Sequence, residues 1–456
     1  MDQLNDFRRI KSSKTEFLRK YFDYVEVIRH HSNIDKTNLK KTIGVAWPTL
    51  EKALAELNND SSPISINDGK FIIQSNYAMQ AGISVGATQI KVFLCDFLYH
   101  PLKYDFFVEN KLCNVFDSLM EGDVRTATDP HDFEGFFCYK KEDSLDMIVS
   151  RLNRILDLLI KLDTVVFPLL SIGISFPGII NPDTLVVDFS PNIKCLTNVS
   201  LKNLISNNVW ERLDENGIKV FFEHDTQAAM IYEKESLYIN NLEAADAKNI
   251  CCIYIAAGIG ASVIMNGQLC RGSTNSFGEL GHTPAPELLV SKIEDDKLSK
   301  EELNDKNATL DEGGQLNKCE CGKNACLESA FRRNVFGAHN IEDFLVKIDG
   351  DGLRNFASIH PYRYRILKEY IGHMMGLIIN FFNPNLIIFS GRIVWEINQL
   401  QYDLDVMKTV NSIGIPARNC DVILGTEKKY TAAAGAAISS YHCCVKNKDF
   451  CNIAWI

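Results

Sequence analysis

The sequence predicts an α/β protein of two or three domains, fronted by a small helical module. Short apolar strands at Leu169 to Ser175, Lys219 to Phe222, Ile250 to Ile255 and Leu386 to Phe389 alternate with amphipathic helices over 144–162 and 364–382, the pattern of layered α/β domains. At 456 residues the chain exceeds one ordinary domain. Charge is also uneven. Residues 1–60 carry 11 Lys/Arg against 9 Asp/Glu, whereas the whole chain stands at −10, so the remainder holds −12. The boundaries expected are 1–76, 77–195 and 196–456.

A hydrophobic share of 46% and a charged share of 23% are those of a globular chain. No run is long and apolar enough to span a bilayer, and Met1 to Arg9 lacks the apolar core of a secretion signal. The expectation is a cytoplasmic protein without a membrane partner. Fourteen cysteines in such a chain argue for free thiols rather than disulfides. Cys95, Cys195, Cys251 and Cys252 lie in apolar runs as core thiols, while Cys443, Cys444 and Cys451 have no evident role. The acidic balance leaves no broad basic surface for nucleic acid.

Within the first module, residues 14–31 place Leu18, Tyr21, Phe22, Val25 and Ile28 on one helical face. Asp35 or Thr37 can cap a second helix bearing Leu39 and Ile43, and Gly44 suits the tight turn after it. Pro48 fits the first turn of a third helix, Trp47 to Asn58, whose apolar face is Leu50, Ala53, Leu54 and Leu57. Asn67-Asp68-Gly69-Lys70 between apolar runs signals a hairpin. Three helices and a hairpin resemble a winged helix-turn-helix. Arg29, Lys36, Lys40 and Lys41 are candidate phosphate contacts, and Trp47, Thr49 and Lys52 the candidate DNA-reading residues. Glu51 and Glu56 on the same helix keep open a dimerisation cap or a protein-binding face.

Further along, Ala81 to Thr88 and Ile90 to Cys95 form two strands joined by a glycine turn at Gly86. Pro177-Gly178 follows a buried strand, and Pro191-Asn192 is a turn. Glu223-His224-Asp225 ends a strand where a helix opens. Asp225 could accept a proton from a substrate hydroxyl there, or serve only as the helix N-cap. Ala256-Ala257-Gly258-Ile259-Gly260 follows another buried strand, in a turn whose backbone N–H groups can face phosphate. The acidic stretch 287–317 reads as a solvated helix and loop. Ala432 to Ala437 opens a small-residue helix suited to close packing.

The densest chemistry lies in Cys319-Glu320-Cys321-Gly322-Lys323-Asn324-Ala325-Cys326-Leu327-Glu328, together with Gly278-Glu279-Leu280-Gly281-His282. Three sulfurs can converge if the loop turns at Gly322, and a histidine is the natural fourth ligand of a structural zinc. Three buried core thiols are the competing reading, but the surrounding segment is charged and contains glycine.

These two stretches resemble the signature of the ROK family of repressors and sugar kinases, with Ala325 where the family usually has glycine. The resemblance implies a two-lobed actin-like ATPase (ribonuclease H-like) fold behind the winged helix, the final helix packing back on the first lobe. It implies zinc on His282, Cys319, Cys321 and Cys326, and a sugar or amino sugar held in the interlobe cleft by Gly178, Asn192, His224, Asp225, Glu279, His282 and Glu328. It also places the phosphate loops of family kinases at Gly86 and Thr88 and at Gly258 and Gly260. There the expected aspartate is Ser84, a glycine is Ala87 and a threonine is Ala257. Arg392 stands where kinases carry a glycine against adenosine. The sugar side is kept and the nucleotide side altered. The reading is therefore a sugar-responsive transcriptional regulator with a DNA operator as partner, acting as a homodimer or tetramer. The alternative is an ATP- and magnesium-dependent sugar kinase with Asp225 as base.

Overall fold

The computed structural model describes residues 2–57, 62–86, 89–102, 136–138, 145–163, 168–240, 242–285, 298–310, 318–338, 343–344, 347–348, 353–397, 400, 403–404, 419–425 and 430–448. Contacts divide the chain into two units, Met1–Ala245 with Ala432–Ile456, and Asp246–Thr431.

The first unit opens with α1 (Asp2–Lys20) and α2 (Phe22–His30). The single helix expected over 14–31 is thus two, because Tyr21 leaves the helical region at φ −118°, ψ 24°. A short strand β1 (Ile34–Asp35) leads into α3 (Lys36–Ile43), capped by Asp35 Oδ1, which accepts from Asn38 N at 2.8 Å. Gly44 closes it at φ +76°, a left-handed C-cap that costs glycine little. Then come α4 (Trp47–Leu57) and the wing, β2 (Ile64–Asn67) and β3 (Lys70–Ile73). Asp68 and Gly69 both have positive φ, the two-residue turn that matches strand twist. The sheet order β1-β3-β2 completes a winged helix-turn-helix around Val25, Ile28, Leu39, Leu50, Leu57 and Phe71, all buried.

Behind it stand β4 (Met79–Val85), β5 (Gln89–Cys95), β6 (Phe136–Cys138), α5 (Leu145–Asp163), β7 (Leu169–Phe176), β8 (Ile179–Ile180), β9 (Val186–Phe189), β10 (Val199–Ser200), α6 (Asn207–Glu215), β11 (Lys219–His224) and α7 (Asp225–Ile239). The main sheet runs β11-β7-β4-β5-β6, with β4, β7 and β11 parallel. Residues 196–245, expected in the second lobe, fall in this unit because β11 pairs with β7 along its whole length. Residues 1–76 also fall in it. Lys11 is buried in an ion pair with Asp163, tying α1 to the end of α5.

The second unit holds β12 (Ile250–Ile255), β13 (Ile259–Met265), β14 (Gln268–Leu269), α8 (Lys300–Leu310), α9 (Leu327–Phe336), α10 (Phe356–Ile359), α11 (Pro361–Phe382), β15 (Leu386–Ser390), α12 (Arg392–Glu396) and β16 (Asp421–Leu424). Its sheet order, β14-β13-β12-β15-β16, repeats the first: an antiparallel three-strand meander, then two parallel strands on the other side of its first strand. The last helix, α13 (Thr431–Lys446), returns to the first unit. A Cβ on Gly82 would lie 1.8 Å from Ala433 O, and one on Gly173 1.8 Å from Ala436 O. The small-residue run therefore lets α13 press directly on the backbone of β4 and β7.

Candidate functional site

In the first unit, three parallel strands end side by side. Ser84 is opposite Ser175, and His224 is opposite Phe176, so the turns after β4, β7 and β11 share the carboxyl edge of the sheet. Open α/β sheets bind ligands at that edge. Gly86 follows β4, whereas Ala87 and Thr88 lie outside the described residues. After β7, Gly178 has φ +125°, and a Cβ there would lie 2.5 Å from Phe189 O. That close approach fixes the hairpin leading to Asn192, whose Oδ1 is buried without a hydrogen-bond partner. After β11, Asp225 opens α7, and its Oδ1 accepts from Thr226 N at 2.7 Å. The N-cap position falls to His224, with Asp225 the first helical residue; the substrate reading stays compatible, because the Asp225 side chain remains 24% exposed. His224 turns Nδ1 to Thr226 Oγ1 at 2.8 Å.

The second unit gathers the other predicted residues around β13. Gly278 and Gly281 press on its backbone: a Cβ on either would lie 1.7 Å from Ala261 O or 2.3 Å from Ile259 O. Ala261 N also donates to Gly278 O at 2.8 Å. This packing orients Glu279 and His282, whose Oε2 and Nε2 are 3.8 Å apart. Glu328, in the first turn of α9, is more enclosed than a ligand contact would suggest. Its Oε2 accepts from Ile259 N at 2.8 Å, and Oε1 lies 3.3 Å from Arg332 Nη2 without a hydrogen bond. The β12–β13 turn is a tight hairpin in which Ala256 N donates to Gly258 O at 3.0 Å, with Gly260 inside the ladder opposite Tyr254. Arg392 lies along its own helix, Nε donating to Glu396 Oε1 at 2.8 Å.

His282, Cys319, Cys321 and Cys326 bring one ligand atom each within 4.8 Å of one another. Cys319 Sγ lies 3.5 Å from His282 Nδ1, and Cys321 Sγ 3.5 Å from Cys326 Sγ. The loop closes through Cys319 N to Lys323 O and Gly322 N to Cys319 O, both 2.8 Å, with Gly322 at φ +90°. Ala325 sits at φ +54°, a region where glycine is the easier residue. Leu327 N, donating to Thr283 O, and Ala285 N, donating to Ala325 O, pin the loop to the segment after His282. Burial pushes the Cys319 and Cys326 thiols above the ordinary range. This group can hold a metal ion.

On the winged module, Trp47 is 43% exposed at the start of α4. Lys36 and Lys40 place Nζ 5.7 and 5.2 Å from its ring centroid, and Lys41, Thr49 and Lys52 are exposed. Glu51 takes Lys36 Nζ at 3.1 Å, and Glu56 is tied to Lys20 and Tyr21. One acidic residue is thus drawn away toward α1 and α2.

A winged helix followed by two α/β units of like strand order, with a Cys₃His cluster on the second, defines a two-lobed actin-like chain with an N-terminal helix-turn-helix. The chain belongs to the ROK family, whose model matches residues 138–439. The xylose repressor of Bacillus subtilis (strain 168) is 25% identical over 232 residues, which span half of this chain and half of that repressor. The xylose repressor of Staphylococcus xylosus is 24% identical over 401 residues, 85% of this chain and 86% of the relative. Among solved structures, a ROK family transcriptional regulator, a homolog of the E. coli MLC protein, aligns at a TM-score of 0.63 and 16% identity. That alignment covers 94% of this chain and 97% of the other, a likeness of fold.

The structural role of two kinds of residue was not read from sequence. Gly278 and Gly281 are visible only as members of a motif, since their need for close approach depends on a strand that precedes them. Arg29, expected to meet phosphate, is instead buried in an ion pair with Glu26 on the inner side of α2, and the signal available was two charges three apart in a helix face lined by Val25 and Ile28.

Proposed function

We propose that the chain is a sugar-responsive transcriptional regulator, acting in the cytoplasm as a homodimer or tetramer. Asn192, Asp225, Glu279 and His282, with Gly178, His224 and Glu328 shaping their surroundings, would hold a sugar or amino sugar. Lys36, Lys40, Lys41, Trp47, Thr49 and Lys52 would meet an operator. The observation that carries this reading is the winged module itself, whose α4 presents an exposed tryptophan flanked by lysines. The names of the two xylose repressors support the same reading and make a pentose the first sugar to try.

Zinc is the metal we assign to His282, Cys319, Cys321 and Cys326. With Zn–S near 2.3 Å and Zn–N near 2.05 Å, tetrahedral geometry requires S–S and S–N separations of about 3.8 and 3.6 Å. The two 3.5 Å separations fit within the tolerance of such a site. A closed four-ligand zinc supplies shape rather than chemistry. Here it would fix His282 so that Nε2 faces Glu279, while Glu328, enclosed against Ile259 N and Arg332, would hold the turn into β13.

The deciding experiment measures binding of the full chain to duplex DNA selected from a random library, with and without D-xylose, hexoses and amino sugars. Sequence-selective binding that one sugar shifts supports the reading; binding indifferent to every sugar, or none, rejects it. The second reading, an ATP-dependent sugar kinase, rests on Asp225 standing at the carboxyl edge of the first sheet as a base would.

A further inference from the structure

Helix α7 begins at Asp225 and is buried at every residue from Thr226 to Tyr238. About 15 Å along its axis from Asp225, at 1.5 Å per residue, it presents Glu235 to the winged module. Glu235 Oε2 lies 3.0 Å from His30 Nε2, and the His30 ring stacks on Tyr238 with centroids 4.0 Å apart and an interplanar angle of 10°. His30 is the last residue of α2, the first helix of the three that form the winged core.

Helix α13 lies against α7 and touches both the strand end before Asp225 and α2, through residues two apart near its own C-terminal end. A Cβ on Gly435 would lie 1.6 Å from Ala228 O, so the two helices touch backbone to backbone. At the Asp225 end, Ser439 Oγ donates to Glu223 Oε2 at 2.7 Å. At the α2 end, Tyr441 Oη donates to Glu26 Oε1 at 3.4 Å. Arg29 pairs with Glu26 and donates to Tyr99 Oη at 2.6 Å, its guanidinium 4.4 to 4.9 Å from the centroids of Phe97, Tyr99 and Tyr441. A fully enclosed cation held by a carboxylate and three rings is a fixed point, because leaving it would strand both charges in an apolar setting.

We infer that α7 and α13 act as one strut carrying the sugar signal from the His224-Asp225 turn to α2. His30 and Glu235 are the positioning residues at its DNA-binding end. The inference rests on the regulator reading. A helix buried on all sides cannot bend locally, so a displacement at its first turn is delivered at its last. The linker from β3 to β4 is the competing route.

The test uses the full chain with His30→Phe, which keeps the stack on Tyr238 but removes the bond to Glu235, with Glu235→Gln, and with the two combined. DNA affinity is measured with and without saturating D-xylose, or the sugar that raises the thermal midpoint most, and sugar affinity is measured separately. Both separate affinities should stay within about threefold of wild type, while the sugar-induced change in DNA affinity, ordinarily 5- to 150-fold, should fall close to onefold. The double variant should do no more than either single one, as for residues in one contact. Full coupling in both single variants overturns the strut. A wild-type chain that binds no DNA, or no sugar, overturns the regulator reading beneath it. Should the substitutions unfold the chain, amide exchange of the wild type decides. Sugar must change protection in both Ser236–Ile239 and Phe22–His30, and unchanged protection there rejects the route.

Discussion

Cys326 is the last sulfur of the Cys₃His cluster and also the N-cap of α9. Its side chain makes no capping hydrogen bond and serine is a favoured N-cap, so its removal should cost the metal and leave the start of α9 in place. Metal analysis of wild type should return about one zinc per chain, and Cys326→Ser well under half, because a closed structural site needs all four ligands. A wild-type value near zero would leave four core groups and no metal. His442 is a second residue with a measurable signature. Burial holds its pKa well below the usual histidine value, against Glu235, which raises it, and with Lys446, Arg29 and His30 nearby. Its ring is neutral in the fold, so below pH 6.5 the unfolded chain takes a proton that the folded chain refuses. Stability from this group is full above pH 6.5 and is lost as pH falls, by up to about 1.4 kcal/mol for each unit. Glu26 at 3.6 Å runs the other way. Burial raises its pKa, so its contribution is full below about 4.5 and is lost as pH rises through the higher folded value. Between pH 7.5 and 5.5 the wild type should lose more thermal midpoint than His442→Phe, whose ring suits the edge contact with Phe22. Equal losses would show that His442 is not the titrating group.

At the scale of elements, the turn Gly278 to His282 owes its shape to β13. A methyl at Gly281 would meet Ile259 O at 2.3 Å, and overpacking of that kind costs about 1–3 kcal/mol. Gly281→Ala should lower the thermal midpoint and also weaken zinc retention against a chelator, since His282 is the next residue. A lower midpoint with unchanged retention would separate the turn from the metal site. Helix α4 gives a different prediction. Lys52 is exposed and offers a phosphate contact, so Lys52→Ala should weaken binding to all duplexes alike and reduce the salt slope by about one. An effect on one sequence alone would make it a base contact. Much of this was legible in the chain: the wing from Asp68-Gly69, the end of α3 from Gly44, and the metal cluster from cysteine spacing. The break at Tyr21 was not, because Phe17, Leu18, Phe22 and Val25 continue the apolar face without interruption. Nor was the enclosure of Glu328, which depends on Ile259 reaching it from a hairpin distant in sequence. The role of Glu235 was hidden for a like reason. A carboxylate in Glu233-Lys234-Glu235 looks solvated until α2 covers it.

Across the whole molecule, two sheets of the same strand order each end in a turn that the family resemblance would make a phosphate loop. Each would then lack one side chain of family kinases, the aspartate at Ser84 and the threonine at Ala257. Ser84 lies within β4, opposite Lys91 and Ser175. A neutral hydroxyl there is a poor substitute for a carboxylate in setting magnesium, a hard cation usually held by one or two carboxylates. On the second unit Ala257 offers no hydroxyl, leaving only the backbone of a tight hairpin. Phosphoryl transfer depends almost wholly on positioning and charge neutralisation, so under the kinase reading a missing metal ligand at Ser84 would matter more than a base at Asp225. The chain should release no sugar-dependent ADP from ATP and magnesium, while one sugar of the panel still raises its thermal midpoint. Asp225→Asn should abolish that sugar effect without changing DNA binding in its absence, because α7 meets α2 at its far end. Turnover in the range of about 1–100 per second would instead make it a kinase with a winged helix attached. A sugar shift that survived Asp225→Asn would move the sugar away from this edge of the sheet.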